Sequence, residues 1–280
     1  MKIAVTGGIG SVGKAVVDMA LAQGNSVLCI DRVIPSDDAR KSDLAYIQAD
    51  ITDYTEIESA VRGCDALVHL AAIPAPGRLP DHEVHNNNVV GSYNALRAAI
   101  EVGIHHICQA SSVNAIGLAY SRWPHFDYFP LDEEHPTYNE DPYSLSKWIC
   151  EEQGKSFARR YEEMTISSMR FHWVIPERAI AVRAKGYSQT EAAAKNLWAY
   201  TLHDSAARAC LLSLNADFKG HEVFYIAAPD TVSEISSLEL KQKYFPDVPL
   251  RGDLSGHKGF FDCSKAERLL GWKHDQQRRE

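Results

Sequence analysis

The residues VTGGIGSVG at positions 5–13 are the most informative part of this sequence. They end an apolar run, KIAVTG at residues 2–7, and begin the segment SVGKAVVDMALAQG at residues 11–24, whose small and apolar residues share one helical face. A buried strand that passes into a helix through closely spaced glycines is typical of the first βα unit of a dinucleotide-binding domain. The sequence therefore predicts a strand, a glycine-rich turn and a helix at the start of an α/β fold.

The turn has the chemistry of a phosphate site. Gly7, Gly10 and Gly13 have the spacing that permits a tight turn, a close approach of backbone to phosphate and close packing of helix on sheet. The N–H groups at the helix start, at Ser11 and Val12, favour a pyrophosphate together with the helix dipole. The same spacing also occurs in plain strand-to-helix turns, but its place in a βα unit favours dinucleotide binding.

The next strand selects between two dinucleotides. Asp31 ends the predicted strand SVLCID at residues 26–31, eighteen residues after Gly13. A carboxylate there accepts hydrogen bonds from both adenosine ribose hydroxyls and repels a 2′-phosphate. The adjacent Arg32 could instead hold a 2′-phosphate. Because the strand end aims Asp31 at the ribose, we expect NAD rather than NADP.

Strands and helices alternate through the first two-thirds of the chain. Further strands are predicted at 46–52, 66–72, 106–112 and 165–171, and helices at 55–62, 89–103 and 142–162. Connections too long for hairpins imply right-handed βαβ crossovers and a parallel sheet. The sequence predicts a doubly wound parallel sheet, a Rossmann fold, over residues 1–175.

Beyond Pro176 the alternation is less regular. The patterns predict helices at 188–196, 204–214, 233–243 and 264–272 and strands at 198–200 and 221–229. No glycine-, serine- or proline-rich linker separates the two parts, so residues 176–280 are expected to form a smaller substrate lobe packed on the first. Two long loops, at 73–82 and 119–142, are rich in proline and aromatic residues, and loops of this length are usually functional.

Composition excludes several classes of protein. The 280 residues are 45% apolar and 24% charged, with a net charge of −8, which is ordinary for a soluble globular protein. The acidic balance argues against a broad grip on nucleic acid or an anionic membrane, and no apolar run is long enough to span a bilayer. Six scattered cysteines without a CxxC pair predict buried, reduced thiols, and no metal-ligand spacing is present. With no signal peptide at its start, we expect a cytoplasmic protein.

A second motif, YSLSK, begins a predicted helix at residues 143–147. Tyr143 and Lys147, four residues apart, lie on one helical face. A nearby ammonium stabilises a phenolate, so such a tyrosine can give or take a proton near neutral pH. The spacing is common by chance on surface helices, and its meaning depends on the rest of the chain.

Taken together, the motifs resemble the extended short-chain dehydrogenase/reductase family, also named for NAD-dependent epimerases and dehydratases. They occur in one order along nearly the whole chain: Thr6 to Gly13, Asp50-Ile51, His69 to Ala72, Asn88 to Ser92, Ser111-Ser112, Tyr143 with Lys147, and Leu270 to Trp272. The resemblance implies a Rossmann fold, NAD as cofactor and an oxidoreductase or epimerase activity.

The resemblance also implies a role for each matched residue. Tyr143 is then the general acid/base, Lys147 holds the nicotinamide ribose and lowers the tyrosine pKa, Ser112 hydrogen-bonds the reacting oxygen, and Asn88 supports the site. The residues implied in cofactor binding are Asp50 and Ile51 beside adenine, Ala71 and Ala72 along the cofactor, and both Tyr143 and Lys147. Taken singly, Ser111 and Asn88 also fit structural capping roles.

Departures from the family pattern narrow the chemistry. Family 4,6-dehydratases carry an Asp-Glu pair beside the active serine, whereas the stretch SSVNAIG at 111–117 has no carboxylate, which disfavours water elimination. The chain is short for a nucleotide-sugar enzyme and is closer in layout to uronate dehydrogenases. That likeness suggests substrate contacts at Ser111, Asn114, Arg178 and Arg183, although the two arginines also fit solvated loop positions.

We therefore expect an NAD-dependent oxidoreductase acting on a hydroxyl carbon of a small sugar, sugar acid or related polyol. Two alternatives stay open: an NAD-dependent nucleotide-sugar 4-epimerase, and a non-catalytic NAD-binding sensor. The intact Ser112, Tyr143 and Lys147 favour an enzyme over a sensor. The expected partner is a small-molecule substrate, and helices 89–103 and 142–162 suggest a homodimer, since family members commonly pair these helices.

Overall fold

The computed structural model describes residues 1–35, 42–184 and 190–275. The strands are β1 Lys2–Thr6, β2 Ser26–Asp31, β3 Leu44–Gln48, β4 Ala66–His69, β5 His106–Ser112, β6 Thr165–Phe171, β7 Val174–Ile175, β8 Thr201–Leu202 and β9 Gly220–Ile226. The helices are α1 Ser11–Ala22, α2 Tyr54–Val61, α3 Asp81–Glu101, α4 Pro142–Arg160, α5 Arg178–Arg183, α6 Glu191–Lys195, α7 His203–Ser213, α8 Ser237–Tyr244 and α9 Ser264–Leu270. A 3-10 turn, Val113–Ile116, follows β5.

Seven strands form one parallel sheet in the order β3-β2-β1-β4-β5-β6-β9. The order reverses between β1 and β4, and in open sheets of this kind ligands bind in the crevice at such a switch point, beyond the carboxyl ends of the strands. The predicted doubly wound parallel sheet is confirmed.

Two of the predicted strands are shorter than the apolar runs suggested. β3 ends at Gln48 and β4 at His69, whereas the runs predicted strands to residues 52 and 72. Asp50 and Ala71 therefore lie in irregular segments just beyond the sheet. This placement leaves their backbone groups out of the strand ladder.

Helices cover both faces of the sheet because successive strand residues point to opposite sides. Val5 belongs to a core shared with α1, α7 and α9, which includes Val16 and Cys210. The adjacent Ala4 faces a second core shared with α2, α3 and α4, which includes Leu96 and Phe157. Both cores are built from the apolar faces that the sequence pattern predicted.

The segment beyond residue 176 contributes to this sheet as well as to a lobe of its own. β9 pairs in parallel with β6, and α7 packs against α1. Helix α9 belongs to the first core, and other parts of the segment form a third core around Trp198 and Phe260, which also buries Phe129 of the aromatic loop. The division of the chain at residues 175 and 176 into two domains stays a prediction.

Several predicted element bounds are wrong in the carboxyl-terminal part and in α3. The strand predicted at 198–200 is instead a turn in which Trp198 has a φ of 50°, and a short strand, β8, follows. The helix predicted at 188–196 is confirmed for 191–195, while 188 and 189 lie outside the described residues. Helix α3 begins at Asp81, not at 89, because the acidic Asp81 and Glu83 of its first turn interact favourably with the positive end of the helix dipole.

All six cysteines are free thiols. Five of them are buried, as predicted, whereas Cys263 is partly exposed. In the described ranges, no helix is both long and apolar enough to cross a membrane. Within those same residues, no three histidine, cysteine or acidic side chains are grouped as a metal site. Val90 and Tyr93 on α3 and Leu145 on α4 are exposed apolar side chains, and the homodimer through these helices stays a prediction.

Candidate active site

A cavity of about 800 Å³ opens at the carboxyl ends of β1, β4, β5 and β6. Predicted site residues meet in its lining: Ser11, Val12, Ala72, Ser111, Ser112, Asn114, Tyr143 and Lys147. The lining also includes residues that sequence reasoning missed, among them Arg78, Tyr120 and His172. The crevice therefore brings the glycine-rich turn and the YxxxK helix into one site, although they lie far apart in the sequence.

The glycine-rich turn packs so closely that side chains at Gly7 and Gly13 would collide with neighbouring backbone atoms. Gly7 has a φ of +69°, and a Cβ on it would lie 2.7 Å from the Ala71 backbone nitrogen. A Cβ on Gly13 would lie 2.1 Å from the Gly7 carbonyl oxygen, so only glycine allows this close packing of α1. Gly10 caps α1 without a side-chain hydrogen bond, which leaves backbone N–H groups at the helix start for an anion. These residues fit the pyrophosphate of a dinucleotide.

A histidine from the distant α7 supports this turn. Ser11 Oγ lies 2.7 Å from His203 Nε2, at the first residue of α7. Burial is the main cause that lowers the pKa of His203, so the imidazole is neutral at pH 7. No local sequence signal marks His203, because its partner is 192 residues away.

The predicted adenosine contacts lie beside the turn. Asp31 ends β2. Burial works against the ionised form of Asp50, but two hydrogen bonds from Thr52 and the charge of Arg32 lower the pKa of this carboxyl overall. Arg32 therefore has a carboxylate for a neighbour, which favours the NAD alternative. The Ile51 side chain is buried against Gly91. A Cβ added to Gly91 would lie only 2.3 Å from Ile51 Cδ1.

Replacement of Asp31 by alanine is expected to weaken NAD binding about 10- to 100-fold, because hydrogen bonds to charged groups contribute roughly 1.5–3 kcal/mol. NADP affinity should change less or rise, since the carboxylate that repels the 2′-phosphate is gone. Titration of both dinucleotides measures the ratio. Asp217→Ala removes the same charge from the exposed loop before β9, at the opposite edge of the sheet, and serves as the control. Tighter binding of NADP than NAD by the natural protein would show that Arg32 dominates.

The catalytic candidates meet at the start of α4. Asp141 caps this helix by accepting hydrogen bonds from the N–H groups of Tyr143 and Ser144, at 3.0 and 2.9 Å. The cap places Tyr143 in the first turn and Lys147 one turn later, both almost fully buried. Lys147 Nζ donates to the Ala110 carbonyl at 2.8 Å and lies 5.9 Å from the Tyr143 ring centroid.

Burial raises the pKa of Tyr143, and the nearby Ser112 hydroxyl opposes the rise. Burial also lowers the pKa of Lys147, while Cys150 and Glu151 work in the opposite direction. In the protein alone the tyrosine is therefore a neutral phenol near pH 7, and burial outweighs the lowering that the sequence analysis expected from Lys147.

Asn88 and Asn114 hold the backbone around these groups. Asn88 accepts a hydrogen bond from the Ile73 N–H at 2.8 Å and donates to the Ile73 carbonyl and to Ser146 Oγ at 3.1 and 3.0 Å. It thus ties the loop after β4 to α4, which agrees with a supporting role. Asn114 accepts from the Ala119 N–H at 2.9 Å and donates to Ser112 Oγ at 3.3 Å.

A buried ion pair lies directly behind Ser111. Ser111 Oγ donates to Glu151 Oε1 at 2.5 Å, and Arg170 donates to both oxygens of the same carboxylate at 2.9 and 2.8 Å. Arg170 also donates to the Tyr225 hydroxyl at 3.2 Å. Sequence reasoning missed this pair, although Glu151 lies one helical turn beyond Lys147 on the same face of α4.

The two arginines predicted to contact substrate do not line the cavity. Arg178 is nearly buried, with its Nε 3.4 Å from Asp230 Oδ2 and its Nη2 donating to the Thr231 carbonyl at 3.2 Å. Arg183 ends α5 and is exposed. Their substrate roles stay predictions, and the described arginine that does line the cavity is Arg78.

Arg78 and Tyr120 lie in the two long loops, residues 73–82 and 119–142, for which the sequence analysis predicted a function. Tyr120 packs edge-on against Tyr143, with 5.7 Å between ring centroids. His172 follows β6, where Nε2 donates to the Asn196 carbonyl and Nδ1 accepts from the Trp173 N–H. Burial lowers the pKa of His172 to about 4, so this imidazole is a neutral part of the wall.

Comparison with known proteins agrees with the fold and the motifs. A curated 3β-hydroxysteroid dehydrogenase/Δ5→4-isomerase of vaccinia virus strain Ankara is 30% identical over 157 residues, 53% of this chain and 44% of its own length. The chain spans about half the length of the curated relatives it matches.

Solved structures resemble the chain more completely. MoeE5 in complex with UDP-glucuronic acid and NAD has a TM-score of 0.73 at 20% identity, covering 99% of this chain and 95% of its own. A glucuronic acid dehydrogenase from Chromohalobacter salexigens has a TM-score of 0.71 at 21% identity, covering 98% and 84%. At these identities the likeness shows the fold alone.

The family is shown by the sequence itself. The profile of the NAD dependent epimerase/dehydratase family matches residues 3–226, which is most of the chain. The match confirms the family resemblance predicted from the motifs, and it agrees with a turn built for a dinucleotide. This protein belongs to the NAD-dependent epimerase/dehydratase family, and its cofactor is NAD.

Proposed function

We propose that this protein is a dehydrogenase that oxidises a hydroxyl carbon of a small sugar, sugar acid or related polyol with NAD. The observation that carries the proposal is the buried cluster of Ser112, Tyr143 and Lys147 on the wall of the cavity. A residue trio of this kind, facing the crevice at the switch point of the sheet, is placed for proton transfer during hydride transfer.

Each side chain has a task that its position supports. Bound NAD would supply the acceptor for the hydride of the substrate carbon. Tyr143, as phenolate, takes the proton of the substrate hydroxyl, and Ser112, which lines the cavity beside Tyr143, orients that hydroxyl. Lys147 Nζ donates one of its three N–H groups to the Ala110 carbonyl. The other two N–H groups can donate to the nicotinamide ribose.

The cavity also supports oxidation over elimination of water. Among its described lining residues none is an aspartate or a glutamate. A dehydratase needs a further acid and base beside the substrate, and the described wall supplies no carboxylate for either. The six free cysteines support the predicted cytoplasmic location, since thiols stay reduced there.

The alternative is a nucleotide-sugar 4-epimerase, which the family name and the same trio also allow. An epimerase oxidises and then re-reduces one substrate, so it releases no NADH.

The deciding experiment incubates the purified protein with NAD and uronates, aldoses, polyols or UDP-glucose in turn. Absorbance of reduced nicotinamide follows net oxidation, and product analysis follows epimerisation. We expect NADH with at least one small sugar or sugar acid. Conversion of UDP-glucose without NADH would establish the epimerase, and NAD binding without any turnover would favour the sensor.

A further inference from the structure

The active-site cavity is positively charged although the protein is acidic overall. The chain has a net charge of −8, yet the charged side chains among the described lining residues are Arg78 and Lys147. A cleft lined by one sign of charge concentrates ligands of the opposite sign. The charge of the cavity therefore favours an anionic ligand over a neutral one.

Of these two cations, Lys147 already interacts with neighbouring groups of the protein. It donates to the Ala110 carbonyl and stands beside Tyr143. The Arg78 side chain makes no hydrogen bond or ion pair with any other residue in the described ranges 1–35, 42–184 and 190–275. An arginine on a cavity wall whose five donors find no protein partner is free to receive a ligand.

Arg78 lies toward the Tyr143 part of the cavity. It belongs to the loop between β4 and α3, and its charge is close enough to Tyr120 to oppose the rise that burial causes in the pKa of that phenol. Tyr120 in turn packs edge-on against Tyr143. These interactions place Arg78 on the Tyr120 side of the cavity.

We propose that Arg78 binds the carboxylate of the substrate, and that the substrate is accordingly a sugar acid. The inference rests on the proposed dehydrogenase function. A guanidinium presents two parallel N–H donors that match the two oxygens of a carboxylate, which provides orientation as well as charge. Bound in this way, the acid end of a small sugar would hold the remote hydroxyl carbon beside Tyr143.

The position also accounts for the loop's composition. Pro74 and Ala75 line the cavity with Arg78, so the loop supplies an apolar wall with one cation on it. Such a wall discriminates by charge: a neutral sugar of the same size leaves Arg78 without its partner, while an acid pairs with it. Selection for the acid then resides in KM, because the contact lies away from the atoms that react.

The test compares matched acid and neutral substrates, glucuronate with glucose and galacturonate with galactose. In Arg78→Met, kcat/KM for the acids is expected to fall about 10- to 100-fold through KM, while the neutral sugars change less than about twofold. Arg78→Lys should recover only part of the loss, because it restores the charge without the paired donors. Arg122→Met, which removes an arginine that is 95% exposed and bound to Glu140, is the matched control.

A binding measurement separates this inference from the catalytic proposal. Calorimetric titration of glucuronate into NAD-loaded Tyr143→Phe, with and without Arg78→Met, reports carboxylate binding without turnover. We expect the second substitution to weaken binding by the same 10- to 100-fold. Equal affinity in the two proteins would overturn the role of Arg78 even if the enzyme oxidises sugars.

Three other outcomes separate the role of Arg78 from the proposed function. If the natural protein oxidises neutral sugars in preference to their acids, the inference fails and the dehydrogenase proposal stands. If UDP-glucose and UDP-glucuronate are turned over alike and Arg78→Met weakens both, the anion is a diphosphate, which overturns the carboxylate assignment. If glucuronate binds through Arg78 but yields no NADH, the inference stands and the proposed function fails.

Discussion

Replacement of Tyr143 by phenylalanine is expected to lower turnover about 10²–10⁴-fold, the usual contribution of a positioned general acid or base. The substitution removes the hydroxyl that exchanges the proton and keeps the ring that packs against Tyr120. NAD affinity should change little, because Lys147 and the glycine-rich turn remain. Steady-state rates on a substrate found by screening, with NAD titration alongside, measure both quantities.

The pH dependence provides an independent readout of the same residue. Oxidation needs Tyr143 as phenolate, and burial raises the pKa of this hydroxyl. The reactive fraction therefore grows as pH rises, so kcat/KM for oxidation should increase with pH, and Tyr143→Phe should remove that increase. Tyr93→Phe, at an exposed tyrosine of α3, is the matched control and should keep the natural profile. Near-natural turnover in Tyr143→Phe would show that the proton goes elsewhere.

Replacement of Glu151 by glutamine is expected to lower the free energy of unfolding by about 3–5 kcal/mol, the usual cost of breaking a buried ion pair at one end. Arg170 and Glu151 are 6% and 4% exposed, and two hydrogen bonds join them. Burial disfavours the charged guanidinium, yet the carboxylate outweighs it and raises the pKa of Arg170. Without that carboxylate the arginine would remain charged and unpaired in the interior.

Urea unfolding of the natural protein and of single and double variants measures this cost. Glu151→Leu combined with Arg170→Met removes both charges and should recover most of the stability that Glu151→Gln loses, because paired removal leaves no orphaned ion. Glu58→Gln, in the more exposed pair with Arg62 on α2, should change stability by about 1 kcal/mol or less. A loss that small in Glu151→Gln would contradict the buried-pair account.

Local patterns were enough to predict much of this protein. The glycine-rich turn, the end of β2 at Asp31 and the YxxxK helix start are read from neighbouring residues, because backbone conformation and helical spacing are short-range properties. The alternation of strands and helices then restricts the fold to a parallel, doubly wound sheet. The motif series along the chain led from these elements to the family and its cofactor.

Short-range patterns therefore predicted the order of the elements, the class of cofactor and the residues that carry the motifs. The folded structure was needed to show which distant groups meet: His203 with Ser11, Arg170 with Glu151, and Arg178 with Asp230 rather than with the cavity. It also placed Arg78 on the cavity wall and β9 in the sheet. The physical reason is that charge pairing and packing act through space between residues far apart in the chain, and no local spacing records which partner a buried arginine will find.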